Sequence, residues 1–293
     1  MIEGVITALV TPFKNGKIDE EGFEKIIEFQ IKEGVDGILI AGTTGESATL
    51  DVKEKEFLFK KAKEIIGNRT KIIAGCGTND TKKSIELVKI AENSGIDLFL
   101  LVCPYYNKPT QEGLYRHFGE IAKNTNGKII LYNVPGRTSS NLEPKTVKRL
   151  VDDFDNIIAV KEASKNLDQM MELYELVGEK ISLMSGDDSW TFPLLTLGYK
   201  GVISVLSNIL IKPLKEMIEY VKNGKIEEAA KIHYKYLPLM KDLFIETNPV
   251  PVKTAMEILG WISGEVRLPL APMKEENRKK LEKTLKNYNF PKF

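Results

Sequence analysis

Lys161 closes an apolar run, IIAVKEA (Ile157–Ala163), and is the residue here whose type and setting most directly suggest covalent chemistry. In an extended segment Lys161 shares a face with Ile157 and Ala159, while Glu162 shares the other face with Ile158 and Val160. If the run lines a barrel, one of the two charges must aim inward. A lysine held among apolar groups loses the solvation that favours its ammonium. Its pKa falls, and the neutral amine can attack a carbonyl to form an imine. The same residue at a rim would be only a salt-bridge partner, so its neighbours carry the decision.

Three other stretches offer matching chemistry. The run IILYNVPGRT (Ile129–Thr138) places Tyr132 at the end of an apolar segment, with Asn133 and a Pro135-Gly136 turn behind it. A phenol there can relay protons to and from a carbinolamine, or can be a half-buried tyrosine with its hydroxyl at the rim. Arg137 can clamp a carboxylate through its planar fork, or remain a solvated surface arginine. The turn GTTGES (Gly42–Ser47) offers backbone N–H groups and two hydroxyls suited to a carboxylate; it lacks the Gly-Lys-Ser/Thr ending of a phosphate-binding P-loop. The plain alternative is a Gly/Thr turn leading into a helix near Asp51. Tyr105 and Tyr106, bracketed by Pro104 and Pro109, form a stiff loop with aromatic groups presented outward, as at interfaces or sites.

Other chemistries have little to work with. The only histidines, His117 and His233, lie on separate helical stretches, which disfavours a histidine metal site or a Ser-His-Asp triad. Gly75-Cys76-Gly77 lacks the third glycine of a dinucleotide fingerprint. Asp187 and Asp188 could hold a cation or cap a helix over Ser189–Leu197. Lys and Arg total 42 against 41 Asp and Glu, so no field that would recruit nucleic acid or anionic lipid is expected. Two distant cysteines, Cys76 and Cys103, are no disulfide framework and point to a reducing cytoplasm. The first residues, MIEGVITALVTPF, lack a basic n-region and a cleavage pattern, and the apolar runs stop short of the ~20 residues a membrane span needs.

The elements that must position these residues alternate. Eight strands are expected at Gly4–Pro12, Gly37–Ala41, Lys71–Cys76, Leu98–Cys103, Lys128–Tyr132, Ile157–Lys161, Ile181–Ser185 and Gly201–Val205. Most are continuous Val/Ile/Leu runs, as in parallel strands covered on both faces. Amphipathic stripes lie between them, such as Phe23, Ile26, Ile27, Gln30 and Ile31, or Ile85, Val88, Ile90 and Ala91. Asp80-Thr81 and Asn166 supply N-caps; Gly34, Gly67 and Gly95 supply stops. Eight strand–helix units predict an α/β fold of the (β/α)₈ TIM-barrel type, with its site at the C-terminal strand ends. From about Lys225 only helices are expected: Ile226–Phe244, Val252–Leu259 and Lys274–Asn287. Pro249, Pro251, Pro269 and Pro272 are confined to helix starts or connections. The division is a catalytic barrel over 1–224 and an all-helical segment over 225–293, with no Gly/Ser linker to let them move apart.

Taken in order, GTTGES, YNVPGRT, the lysine of VKEA and GDD (Gly186–Asp188) resemble the pyruvate-dependent class I aldolase family, which includes the N-acetylneuraminate lyases. The similarity continues through ETNPVPVK (Glu246–Lys253) and RLPLAP (Arg267–Pro272). The resemblance implies that Lys161 carries a pyruvate imine and that Tyr132, Thr43 and Tyr106 form a proton relay, Tyr106 reaching into a neighbouring subunit's site. It implies that Thr44 holds the pyruvate carboxylate and that Ile203 and Gly186 line the substrate site. Arg137 would receive the carboxylate of L-aspartate 4-semialdehyde, on the route to diaminopimelate and lysine. The sialic-acid lyases as a rule lack that arginine, which ranks their activity, and 2-keto-3-deoxygluconate cleavage, below this condensation. No metal or organic cofactor is implied, and the implied assembly is a homotetramer of two tight dimers. Members inhibited by L-lysine usually place a histidine near Lys55 and a glutamate near Lys83, around Asn79 and Tyr105. Two cations there predict weak or absent inhibition.

Overall fold

A computed structural model describes residues 2–293. Eight parallel strands close on themselves: β1 (Gly4–Ala8), β2 (Gly37–Ile40), β3 (Lys71–Gly75), β4 (Leu98–Val102), β5 (Lys128–Asn133), β6 (Ile157–Glu162), β7 (Ser182–Ser185) and β8 (Gly201–Ser204). Each pairs with its sequence neighbours, and β8 closes onto β1 with Val5 opposite Val202 and Ile6 opposite Ile203. This is the expected TIM barrel. Inward side chains, including Ile6, Leu39, Ile73, Leu100, Ile130, Ala159, Met184 and Ile203, plug its centre. The opposite faces of the strands pack under the helices in a second, larger apolar layer. Both strand faces are therefore buried, which is why the runs read as continuously apolar.

The caps fall where expected. Asp80 accepts from the N–H of Lys83 at 2.8 Å and Asn166 from that of Gln169 at 3.2 Å. Gly34, Gly67 and Gly95 follow helix ends at φ of 78°, 56° and 80°. Asp51 and Glu54 form a reciprocal capping box at the helix Val52–Ile66.

Several boundaries differ from expectation. The first strand ends at Ala8 rather than Pro12: Leu9 still donates to the Leu39 carbonyl at 3.0 Å, but the N–H of Val10 leaves the ladder for Asn208 Oδ1 at 3.1 Å. Phe13–Lys14 and Lys17–Ile18 make a small hairpin too short to register as a period. The Pro135-Gly136 turn is one helical turn, Pro135–Thr138, closed by Ser139 in the left-handed region. Ser189–Leu197 splits into a 3₁₀ turn, Asp188–Trp190, and a helix, Thr191–Thr196.

Beyond the barrel lie the helices Ile226–Asp242, Val250–Ile258 and Glu275–Leu285. Glu275–Leu285 packs on the other two, and Ile226–Asp242 packs on the last barrel helix, Lys212–Lys222. Pro251 sits in the first turn of its helix, as a proline must, but Pro238 lies inside Ile226–Asp242. Among the described residues no helix is long and apolar enough to cross a membrane.

Candidate active site

Barrel closure decides which charge on β6 turns inward. Ala159 belongs to the central plug, so Lys161, two residues on, projects into the barrel as well. Glu162 turns the other way and accepts from Asn133 Nδ2 and from the N–H of Ser164. Its burial pushes that carboxyl upward, with Ser164 and Asn133 opposing. Tyr132 and Lys161 are register partners on β5 and β6, so their side chains emerge side by side. The Lys161 ammonium nitrogen lies 4.2 Å from the centre of the Tyr132 ring, and each residue is 5 % exposed.

That burial sets the chemistry. Loss of solvation pulls the Lys161 amine down to about 7; the Asp188 carboxylate opposes this and the Arg137 guanidinium adds to it. Burial pushes the Tyr132 phenol up to about 12, while Arg137 and a hydrogen bond with Thr43 pull it back. Near neutral pH the site therefore holds an amine that is partly neutral beside a phenol that keeps its proton. An amine nucleophile with an adjacent acid is what imine formation requires.

The rim is assembled from three other strand ends and from the short helix that follows β5. Thr44 is buried, and its Oγ1 accepts from Asn248 Nδ2 at 3.0 Å. Arg137 is exposed on its short helix and donates to the backbone carbonyl of Asn248 at 3.4 Å. Gly186 donates its N–H to the carbonyl of Glu162 at 2.8 Å, and an added Cβ would stand 3.2 Å from Lys161 Cγ. Ile203 is 1 % exposed and lies in the same inner cluster as Tyr132.

A sequence profile of the dihydrodipicolinate synthetase family matches residues 1–288. The chain belongs to this family. A 4-hydroxy-tetrahydrodipicolinate synthase from Methanocaldococcus jannaschii is 51 % identical, over 98 % of this chain and 99 % of that one. Among solved structures, dihydrodipicolinate synthase from Aquifex aeolicus shares 46 % identity and superposes with a TM-score of 0.97 over 99 % of both chains. A dihydrodipicolinate synthase from Cyanidioschyzon merolae, solved with lysine bound, is 41 % identical with a TM-score of 0.95 over 97 % of each chain.

Within the family barrel, Thr43, Thr44, Tyr132, Arg137, Lys161, Gly186 and Ile203 lie together at the C-terminal strand ends. Tyr106 does not join them in this chain. It is 89 % exposed and held at φ 74°, an uncommon backbone for an aromatic residue. The cation reading of Asp187 and Asp188 is not supported. Asp187 caps the 3₁₀ turn through the N–H of Ser189 and pairs with Lys165 at 2.9 Å. Asp188 accepts from Ser204 Oγ and from the N–H groups of Val205 and Leu206, which leaves it structurally occupied. Burial lifts its carboxyl to about 6 despite those bonds. Among the described residues no group of three His, Cys, Asp or Glu could hold a metal.

Asn248 is the site residue that reading the sequence missed as a site residue. It touches both Thr44 and Arg137, yet its own Oδ1 is buried without a partner. Its stretch, ETNPVPVK, carried a resemblance but no spacing that would place it at a strand end on the far side of the chain. Thr44 and Asn248 are 204 residues apart.

Proposed function

We propose that this enzyme condenses pyruvate with L-aspartate 4-semialdehyde to give 4-hydroxy-tetrahydrodipicolinate through an imine on Lys161. The observation that carries the reading is the Lys161–Tyr132 pair, a buried amine lowered to about 7 beside a phenol raised to about 12. The names of the relatives select the substrates, and the guanidinium of Arg137 at the rim suits a second carboxylate.

The neutral amine of Lys161 attacks C2 of pyruvate, whose carboxylate lies against the Gly42–Ser47 turn and the Thr44 hydroxyl. Tyr132, protonated near neutrality, gives a proton to the departing hydroxyl, and water leaves to form the iminium. A proton then leaves the pyruvate methyl group, and its electrons form the enamine. The enamine carbon attacks the aldehyde of the semialdehyde, whose carboxylate is held by Arg137, and the resulting alkoxide takes up a proton. The amine of the former semialdehyde attacks C2, the bond to Lys161 breaks, and the ring closes. One water is lost per turnover, which fits a carbon–oxygen lyase of the hydro-lyase class. Thr43 hands protons between Tyr132 and Tyr106, the latter supplied by a neighbouring copy in a dimer of dimers. The left-handed, 89 % exposed Tyr106 supports that reading, because an aromatic held out in this way needs a partner surface. Residues 1–224 act as the catalytic barrel and 225–293 as a helical support, in a cytoplasmic enzyme working without cofactor.

The test is pyruvate consumption by the pure protein with aspartate semialdehyde, glyceraldehyde or N-acetylmannosamine as the acceptor. Preference for the semialdehyde, abolished by Lys161→Ala, is expected. Preference for either other aldehyde would keep the imine but move the enzyme to a sister activity and strip Arg137 of its role.

A further inference from the structure

The turn that presents Thr43 and Thr44 is tied down by charges that take no part in the reaction. Glu46, the fifth residue of that turn, sits at φ 56°, where a side chain is unfavourable. Its carboxylate pairs with Lys253 at 2.7 Å, and the two side chains are 1 % and 0 % exposed. Lys253 also donates to the backbone carbonyl of Thr11 at 2.9 Å. The Thr11 hydroxyl in turn donates to the carbonyl of Gly45 at 2.7 Å, so one residue receives the ammonium and grips the turn. The second oxygen of Glu46 accepts from the N–H of Arg267 at 3.0 Å, and the Arg267 guanidinium forks onto Glu54 at 2.6 and 2.8 Å.

Lys253 lies on the helix Val250–Ile258, which begins just after Asn248, the donor to Thr44. The turn is thus held at two points from one short stretch beyond the barrel, Asn248–Lys253. Withdrawing two charges from water is costly, and an apolar pair of equal volume would fill the space at least as well. What an apolar pair cannot do is fix a direction. Both carboxylate oxygens of Glu46 are committed to partners on different segments, which leaves the turn one orientation.

We propose that Lys253 and Glu46 are positioning residues for the pyruvate carboxylate, holding the Gly42–Ser47 turn in the kink that sets Thr43 and Thr44. The inference rests on the proposed role of Thr44 with pyruvate. Lys253→Met alone strands a buried carboxylate and is expected to yield no folded protein. The informative variant is the double Lys253→Met/Glu46→Gln, which removes both charges at nearly constant volume. It is expected to unfold cooperatively and to raise the pyruvate KM about tenfold or more, with kcat falling by less because Thr43 shifts with the same turn. At saturating pyruvate, borohydride should still trap the imine on Lys161. Glu46→Gln alone still leaves Lys253 an amide oxygen and the Thr11 carbonyl to donate to, so it strands no group outright; it is expected to raise the pyruvate KM about threefold and decides the question if the double variant does not fold. A folded variant that is less heat-stable but has an unchanged pyruvate KM would make the pair a fold anchor only and overturn the proposal. Failure of the unaltered protein to trap pyruvate on Lys161 would instead overturn the imine reading.

Discussion

At the scale of single residues, the proposed chemistry depends on one amine being neutral where lysine ordinarily is not. Burial brings Lys161 to about 7 from an ordinary value near ~10.4. Below that value the ammonium cannot attack; above it the amine can. The rate of borohydride-trappable imine formation should therefore climb with pH through about 7 and level roughly a unit above. Two substitutions should move the midpoint in opposite directions. Arg137 depresses the amine, so Arg137→Ala should shift the profile to higher pH. Asp188 supports the ammonium, so Asp188→Asn should shift it to lower pH. A midpoint that stays in the ordinary lysine range in the unaltered protein would sink this account.

At the scale of elements, the register between neighbouring strands does the aiming. Tyr132 meets Lys161, and Lys161 meets Met184, because β5, β6 and β7 pair in parallel without slippage at their C-terminal ends. Gly186, just past β7, lets that strand end approach β6. A Cβ there would stand 2.8 Å from Ala163 Cβ, 3.1 Å from the carbonyl of Glu162 and 3.2 Å from Lys161 Cγ. Gly186→Ala should lower stability by about 1–3 kcal/mol, as overpacking does. It should also cost kcat tenfold or more, since displacement of about 1 Å at a reacting group can cost ~100-fold. Gly136 is the control. Nothing lies within 4 Å of a Cβ added there, and Gly136→Ala should leave both Tm and kcat unchanged.

At the scale of the whole molecule, a single chain brings together every proposed catalytic group but Tyr106. If Tyr106 works in a neighbouring copy, a Tyr106→Phe chain and a Lys161→Ala chain are each inactive alone. Hybrid dimers formed by mixing them regain one intact site, and random exchange should restore roughly a quarter of the full activity. No recovery after verified exchange would place the relay within a single chain. The effector question sits at this scale too. Lys55 is buried on its helix, its ammonium disfavoured by burial, and Lys83 is exposed on the next. Asn79 and Tyr105 do meet, through a 3.2 Å bond from Asn79 Nδ2 to the Tyr105 carbonyl. A relative has been solved with lysine bound, yet two cations here should oppose the ammonium of L-lysine. Inhibition should be weak or absent, and half-inhibition at sub-millimolar L-lysine would contradict that.

The strand count, the order of the strand-end motifs and the candidacy of Lys161, as one of two charges closing the sixth strand, were all legible in the sequence. Each depends on residues contiguous in the chain, where apolar runs and turn residues act locally. The Phe13–Ile18 hairpin escaped because two-residue strands have no period, whereas the helix expected over Ile226–Phe244 forms through Pro238, because tertiary packing tolerates what local propensity disfavours. Tertiary structure alone chose between Lys161 and Glu162, since the inward face of β6 is set by closure of β8 on β1. It alone brought Asn248 to Thr44 and Lys253 to Glu46, across 204 and 207 residues. No local pattern encodes such pairs. They form because the helices beyond the barrel must bury their apolar faces on it, and the polar groups carried along find their partners at the rim.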